Sequence, residues 1–194
     1  MAKAQTHIGS GDVSRCPIPK THRRLIEAHV LWHQTLQQYH QPEFFHANLN
    51  ATIQALRNVT FVLQAEKAAI TNFEQWYAPW QELLRANPLL KWLKEARNIV
   101  VKQGELELNS TAVVKLVTWR DDILIESIVP PTIPPSLILR NLPLLELINN
   151  SKVSPGDAKN AAVVIERCWR VPDWPDREIL DALAEAYGVL SNLV

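Results

Sequence analysis

Apolar residues recur at helical spacing over the first half of the chain. After Thr21, which the spacing predicts as an N-cap, they fall at Leu25, Ala28, Trp32, Leu36 and Tyr39, the period of an amphipathic helix. Pro42 stops that helix or opens the next. Phe45, Leu49, Ile53, Leu56, Thr60 and Leu63 then mark a second helix of about 25 residues with one apolar stripe. Asn72 with Gln75 predicts a capping box. It heads a third helix with Trp76, Trp80, Leu83 and Leu84, in which Pro79 kinks the chain or sits in the first turns. A fourth helix is capped by Asn87, opens at Pro88 and ends at Gly104.

Beyond Gly104 the period shortens toward two. AVVKLVTW and ILIESIV are β-branched runs separated by Arg120, Asp121 and Asp122, and they predict a hairpin. Pro130-Pro131 to Pro134-Pro135 reads as a stiff extended connector, and NLPLLELINN as a short helix. Residues 161–171 read as a strand, because Val, Ile and Trp cluster there; a helix after Asp157 is the alternative. Pro175 opens a last helix with Ile179, Leu183, Ala186, Tyr187, Leu190 and Leu193 on one face. The expected fold is mainly α, of the α+β kind. An antiparallel four-helix bundle spans 21–104, after a flexible tail over 1–20. A β-hairpin, proline connector and C-terminal helix over 105–194 pack on it.

Composition narrows the function classes. The 194 residues carry 20 Lys+Arg and 20 Asp+Glu, so no global positive field recruits nucleic acid or membrane. The balance hides an asymmetry: residues 1–104 hold 12 basic and 7 acidic side chains, a net of +5, and residues 105–194 hold 8 and 13, a net of −5. Five glycines and no GxGxxG or GxxxxGK pattern argue against a phosphate loop. Cys16 and Cys168 are too few for a disulfide framework or a four-thiolate zinc site. The N-terminus has no apolar signal core and no run approaches membrane-spanning length, so a reduced, cytoplasmic, non-membrane protein is expected.

One short motif carries chemistry. In Arg97-Asn98-Ile99-Val100-Val101-Lys102, Asn98 and Lys102 lie one helical turn apart, with Arg97 at the edge of their face; Lys91 and Lys94 extend the basic strip. Arg supplies a bidentate fork and Lys a point charge, a combination suited to phosphate. The plainer reading is a solvated helix face with Glu82, Glu95 or Glu105 as partners. RNIVVK, late in the last helix of a bundle, resembles the signature of the HEPN superfamily, and LNATIQALRNVTFVLQ resembles its long second helix. The resemblance covers residues 21–104, about half the chain. It implies a helical dimer with two motifs facing across a cleft, and metal-independent RNA cleavage or nucleotide binding in toxin–antitoxin or defence systems. By position, Arg97 would polarise the phosphate and Asn98 orient it, with Lys102 where the family has histidine. Lysine, with an ordinary pKa near 10.4, is a poor proton acceptor at neutral pH but still stabilises phosphate charge. The resemblance thus implies phosphate binding more strongly than catalysis.

Two other groups have plainer readings. His29 and His33 stand at i and i+4, with His22 and His40 seven residues to either side and His46 nearby. An HxxxH pair needs further ligands, so a polar helix face is the expectation and no metal or other cofactor is expected. Trp32, Trp76, Trp80, Trp92, Trp119 and Trp169 read as core, and Trp174 as the most exposed tryptophan. Two functions emerge: a HEPN-like nucleotide- or RNA-associated module forming a homodimer or binding a protein partner, or a non-enzymatic antitoxin, immunity or assembly domain.

Overall fold

A computed structural model describes residues 16–104, 106–117, 123–129 and 162–194. The fold is mainly helical with a small antiparallel sheet. Helices α1 (Pro19–Gln37), α2 (Pro42–Ala65), α3 (Phe73–Ala86) and α4 (Pro88–Gln103) are followed by strands β1 (Asn109–Val117), β2 (Ile123–Val129) and β3 (Ala162–Arg170) and by helix α5 (Ile179–Leu193). A single 3-10 turn, Lys67–Ala69, joins α2 to the loop before α3. The sheet order is β2-β1-β3, antiparallel throughout, with Ala112 opposite both Val129 and Arg167. The expected hairpin pairing and the strand reading of 161–171 are both found. The hairpin turn at Asp121-Asp122, the proline connector, NLPLLELINN and Trp119 lie outside the described residues.

Proline sets three of the helix starts. Pro19, Pro42 and Pro88 occupy the first turns of α1, α2 and α4, where the missing N–H has no helical partner to lose. Asn87 caps α4 as expected, its side chain accepting from the N–H groups of Leu89 and Leu90 at 2.9 and 3.2 Å. Gly104 ends it at φ 93°, a left-handed conformation that favours glycine. Pro79 sits inside α3. Three expectations at helix ends are corrected, and three stripe residues prove exposed. Thr21 is not an N-cap but a buried residue inside α1, so Ile18 and Pro19 belong to the packed structure and not to a tail. Asn72 makes no capping box: it stands in the left-handed region at φ 54° and its side chain caps nothing. Pro175 lies in the turn before α5, which Glu178 caps through the N–H groups of Leu180 and Asp181. Leu36, near the end of α1, is exposed, and so are Trp76 and Leu83 on α3, because α3 packs mainly on α4 and offers only one narrow buried edge, Phe73 and Tyr77.

The core is assembled from both halves of the chain. α1 packs along α2, and α5 packs against α1, α2 and α4. One apolar cluster joins Phe45, Leu49, Ile53 and Leu56 of α2 with Leu93 and Ala96 of α4, Trp169 of β3, and Ile179, Leu183 and Ala186 of α5. The charge boundary near Gly104 is therefore not a packing boundary. A second cluster gathers Ile18, Leu63, Phe73, Tyr77 and Leu193 around the start of α1.

The N-terminus of α1 is capped from a distance. Ile18 offers no side-chain oxygen, and the Glu66 carboxylate takes that role: it accepts from Lys20 N–H at 3.1 Å, Thr21 N–H at 2.8 Å and the Thr21 hydroxyl at 2.7 Å. Desolvation raises the Glu66 pKa, but these bonds and the Lys20 charge outweigh it and hold the carboxyl below its ordinary 4.5. A depressed carboxyl contributes stability above its unfolded pKa and loses it as pH falls through the folded value. Glu66→Ala is expected to cost about 1 kcal/mol near neutral pH. Urea unfolding should show that difference shrinking toward zero as the pH drops below 4. An equal cost at pH 7 and pH 3 would show that the carboxylate is not the cap.

The sheet is tied to the helices by aromatic side chains. The Trp169 indole stacks on Phe45 at 4.6 Å and donates to the Tyr39 carbonyl at 2.9 Å. Tyr39 donates to Glu178 at 3.0 Å, and Trp32 donates to the Leu180 carbonyl at 3.0 Å. Burial keeps the Glu178 carboxyl above its ordinary range despite its donors. Trp174, expected to be the most exposed tryptophan, is half-buried against Trp92 at 4.7 Å, where Trp92 also donates to Asp173 at 3.0 Å.

Candidate anion-binding surface

Helix α4 buries Leu89, Leu90, Trp92, Leu93, Ala96 and Val100. That stripe turns Lys91, Lys94 and Lys102 to solvent and leaves Arg97 and Asn98 at the border, half-buried. Arg97 Nη1 approaches Asn98 Oδ1 at 3.4 Å, a long contact between neighbours. Lys94 meets Glu95 at 3.5 Å, with both side chains largely exposed, a pair worth little in water. Among the described residues, no carboxylate pairs with Arg97, Lys91 or Lys102.

The five predicted residues divide into two groups. Lys91 and Lys94 line a cavity of about 470 Å³ between α2, α3, α4 and the end of α5. Arg97, Asn98 and Lys102 do not line it; Lys102 lies one turn beyond Asn98, toward Gly104. The two groups meet electrostatically at Arg57, on the cavity's α2 wall. Burial lowers the affinity of the Arg57 guanidinium for its proton; Tyr77 works the other way, and the nearby charge of Arg97 adds to the lowering. An arginine so placed stays charged.

The cavity holds residues that the motif did not reveal. Its lining includes the cations Arg57, Arg85, Lys91 and Lys94 and not one carboxylate. Leu56, Leu90, Leu93 and Leu190 form a buried apolar floor. Arg57 Nη1 donates to Thr60 Oγ1 at 2.5 Å, and the guanidinium lies over the Phe61 ring at 4.3 Å from its centroid. Burial raises the Tyr77 pKa, so its hydroxyl stays protonated at neutral pH. The one available signal was Arg57 itself, a charge inside the apolar run ALRNVTF.

The histidines do not assemble. His29 and His33 approach with their Nε2 atoms 3.2 Å apart, but His40 packs beside Tyr39 and His46 beside Trp169. Among the described residues, no group of three or more His, Cys, Asp or Glu side chains could hold a metal ion. No helix among them is long and apolar enough to cross a membrane.

The model of a protein family described as Bacteriophage lambda protein ea47 matches residues 10–194. Protein ea47 of Escherichia phage lambda is 31% identical over 176 residues, 88% of this chain and 41% of that protein. The chain thus spans well under half the length of this curated relative. No solved structure matches it. The family match runs through the helices, the sheet and the closing helix alike, and the chain belongs to the phage lambda Ea47 family.

Proposed function

We propose that this chain is a HEPN-like, RNA-associated module that holds phosphate on the polar face of α4, in a defence, stress or toxin–antitoxin setting. In this reading α1–α4 are the HEPN-like bundle, two copies pair with their α4 faces opposed, and RNA lies between them. Arg97 forks a phosphate, Asn98 orients it and Lys102 neutralises it. The observation that carries the reading is the lack of any carboxylate partner for Arg97, Lys91 and Lys102 among the described residues. Unpaired cations repel across a dimer axis unless an anion lies between them. A relative encoded by a phage fits a phage–host setting. Lysine at the motif's last position makes the module a binder with impaired cleavage.

The test is retention of single-stranded RNA by the purified chain at low salt in EDTA. Bound, uncut RNA is the expected result, and Lys102→His should add slow cleavage that Arg97→Ala removes. No retention at any protein concentration would end the reading.

A second reading, a non-enzymatic interaction domain, draws on the exposed Ile26 and Val30, one turn apart on α1, and on Phe44. Size-exclusion mass with and without RNA separates the two. A dimer that forms equally well without RNA and binds none of it favours the interaction domain.

A further inference from the structure

We infer that the outward face of α1 binds zinc between two copies of this chain, with His29 and His33 of each copy forming one four-imidazole site. The inference does not involve α4 and is independent of the proposed RNA reading.

The pair has the spacing of two ligands on one ion. His29 and His33 stand one turn apart, with Nε2 atoms 3.2 Å from each other and ring centroids 4.5 Å apart. At a zinc–imidazole bond of about 2.0–2.1 Å, that spacing subtends about 100° at the metal, close to the tetrahedral value. Ligation needs a lone pair on each Nε2. The ring that donates in the present contact therefore passes its proton through water to Nδ1, and both rings become Nδ1–H tautomers.

Both rings are held in place before any ion arrives. Tyr187 of α5 packs on His29 at 5.3 Å, and the Trp32 ring meets His33 edge-on at 5.1 Å. Trp32 is itself pinned by its bond to the Leu180 carbonyl. Little rotamer freedom then remains to be lost on binding.

One chain supplies two ligands, and zinc takes four. Among the described residues, no third His, Cys, Asp or Glu side chain completes the set. The rest of the α1 face points to the source of the missing pair. His22, Ile26, His29, His33 and Leu36 follow one another at spacings of four, three, four and three, the seam pattern of paired helices. None of the five is Lys, Arg, Asp or Glu, so two such seams do not repel. Ile26 is 55% exposed and Leu36 45%.

A two-fold axis midway between His29 and His33 sets two α1 helices antiparallel. It brings His29 against His33 of the second copy, which places four imidazoles around the axis. It also brings Ile26 against Leu36 of the second copy, on both sides of the metal. These two apolar layers shield the imidazole layer and remove their own exposed surface from water. The seam is thus complementary to itself, which selects a second copy over an unrelated partner.

The experiment is light scattering during size exclusion of the full chain, in EDTA and with zinc chloride in slight excess. The mass should be that of one chain, 22.1 kDa, in EDTA and should double with zinc, with one zinc retained per two chains. His33→Ala, at an exposed position, should abolish the doubling. It should weaken zinc binding by at least the roughly ten-fold that loss of an outer hydrogen-bond partner costs a metal site. His33→Cys keeps a zinc ligand and should restore both. Ile26→Lys should prevent the doubling with both histidines intact. Lys102→Ala should leave it unchanged, because α4 takes no part. A mass that zinc does not change, whether of one chain or two, overturns the site, and so does equal doubling by the folded His33→Ala variant. RNA retention is scored in EDTA, so failure of the RNA reading and failure of this site show up in separate measurements.

Discussion

Phe45→Ala will destabilise the protein by about 3–5 kcal/mol, whereas Phe44→Ala, one residue earlier, will change stability by less than about 0.5 kcal/mol. Phe45 has no exposed surface and stacks on Trp169 with ring planes 12° apart, while Tyr39 meets its edge at 5.6 Å. Its loss leaves a cavity where α1, α2 and β3 meet, so the sheet loses its anchor on the helices along with the buried area. Phe44 faces solvent and is 61% exposed. Urea unfolding of both variants measures the contrast. A Phe45→Ala cost below 1 kcal/mol would mean that the sheet does not depend on this stack.

Charge reversal on α4 has the largest expected effect on binding. In the proposed RNA-bound dimer, Arg97→Glu with Lys102→Glu would replace two phosphate contacts by two repulsions. RNA affinity at low salt should fall on the order of 100-fold or more. Lys102 is exposed and Arg97 half-buried, and neither belongs to an ion pair among the described residues, so the fold should survive. Circular dichroism checks that, and filter binding reads the affinity. Unchanged affinity in a folded double variant would remove α4 from the RNA-binding surface.

Local signals in the sequence read well where the chain itself supplies the partner. The α2 stripe of Phe45, Leu49, Ile53, Leu56, Thr60 and Leu63 is buried throughout, because a long helix between two others must hide one continuous face. The Asn87–Pro88 start and the Gly104 stop of α4 also hold, since caps are made within a few residues. Partners distant in sequence were not legible. Glu66 caps α1 from 45 residues away, and no pattern near Thr21 announces it. Asn72 has the residue type of a cap, yet it stands in the left-handed region at φ 54° and its side chain caps nothing. Trp76 and Leu83 follow helical spacing but stay exposed, because periodicity does not say how much of a stripe its neighbours cover. At the site, the strip of Lys91, Lys94, Arg97, Asn98 and Lys102 lies along one helix and could be read from spacing. The cavity needed Arg57 and Tyr77 brought in from α2 and α3, which only the tertiary packing provides.

The salt dependence of single-stranded RNA binding tests the central claim most directly. Four α4 cations, Lys91, Lys94, Arg97 and Lys102, face or border solvent. If each neutralises one phosphate, log K should fall linearly with log salt at a slope of about −2.8. Arg97→Ala with Lys102→Ala should flatten it by about 1.4. A slope near zero, or one that the double variant leaves unchanged, would contradict the account.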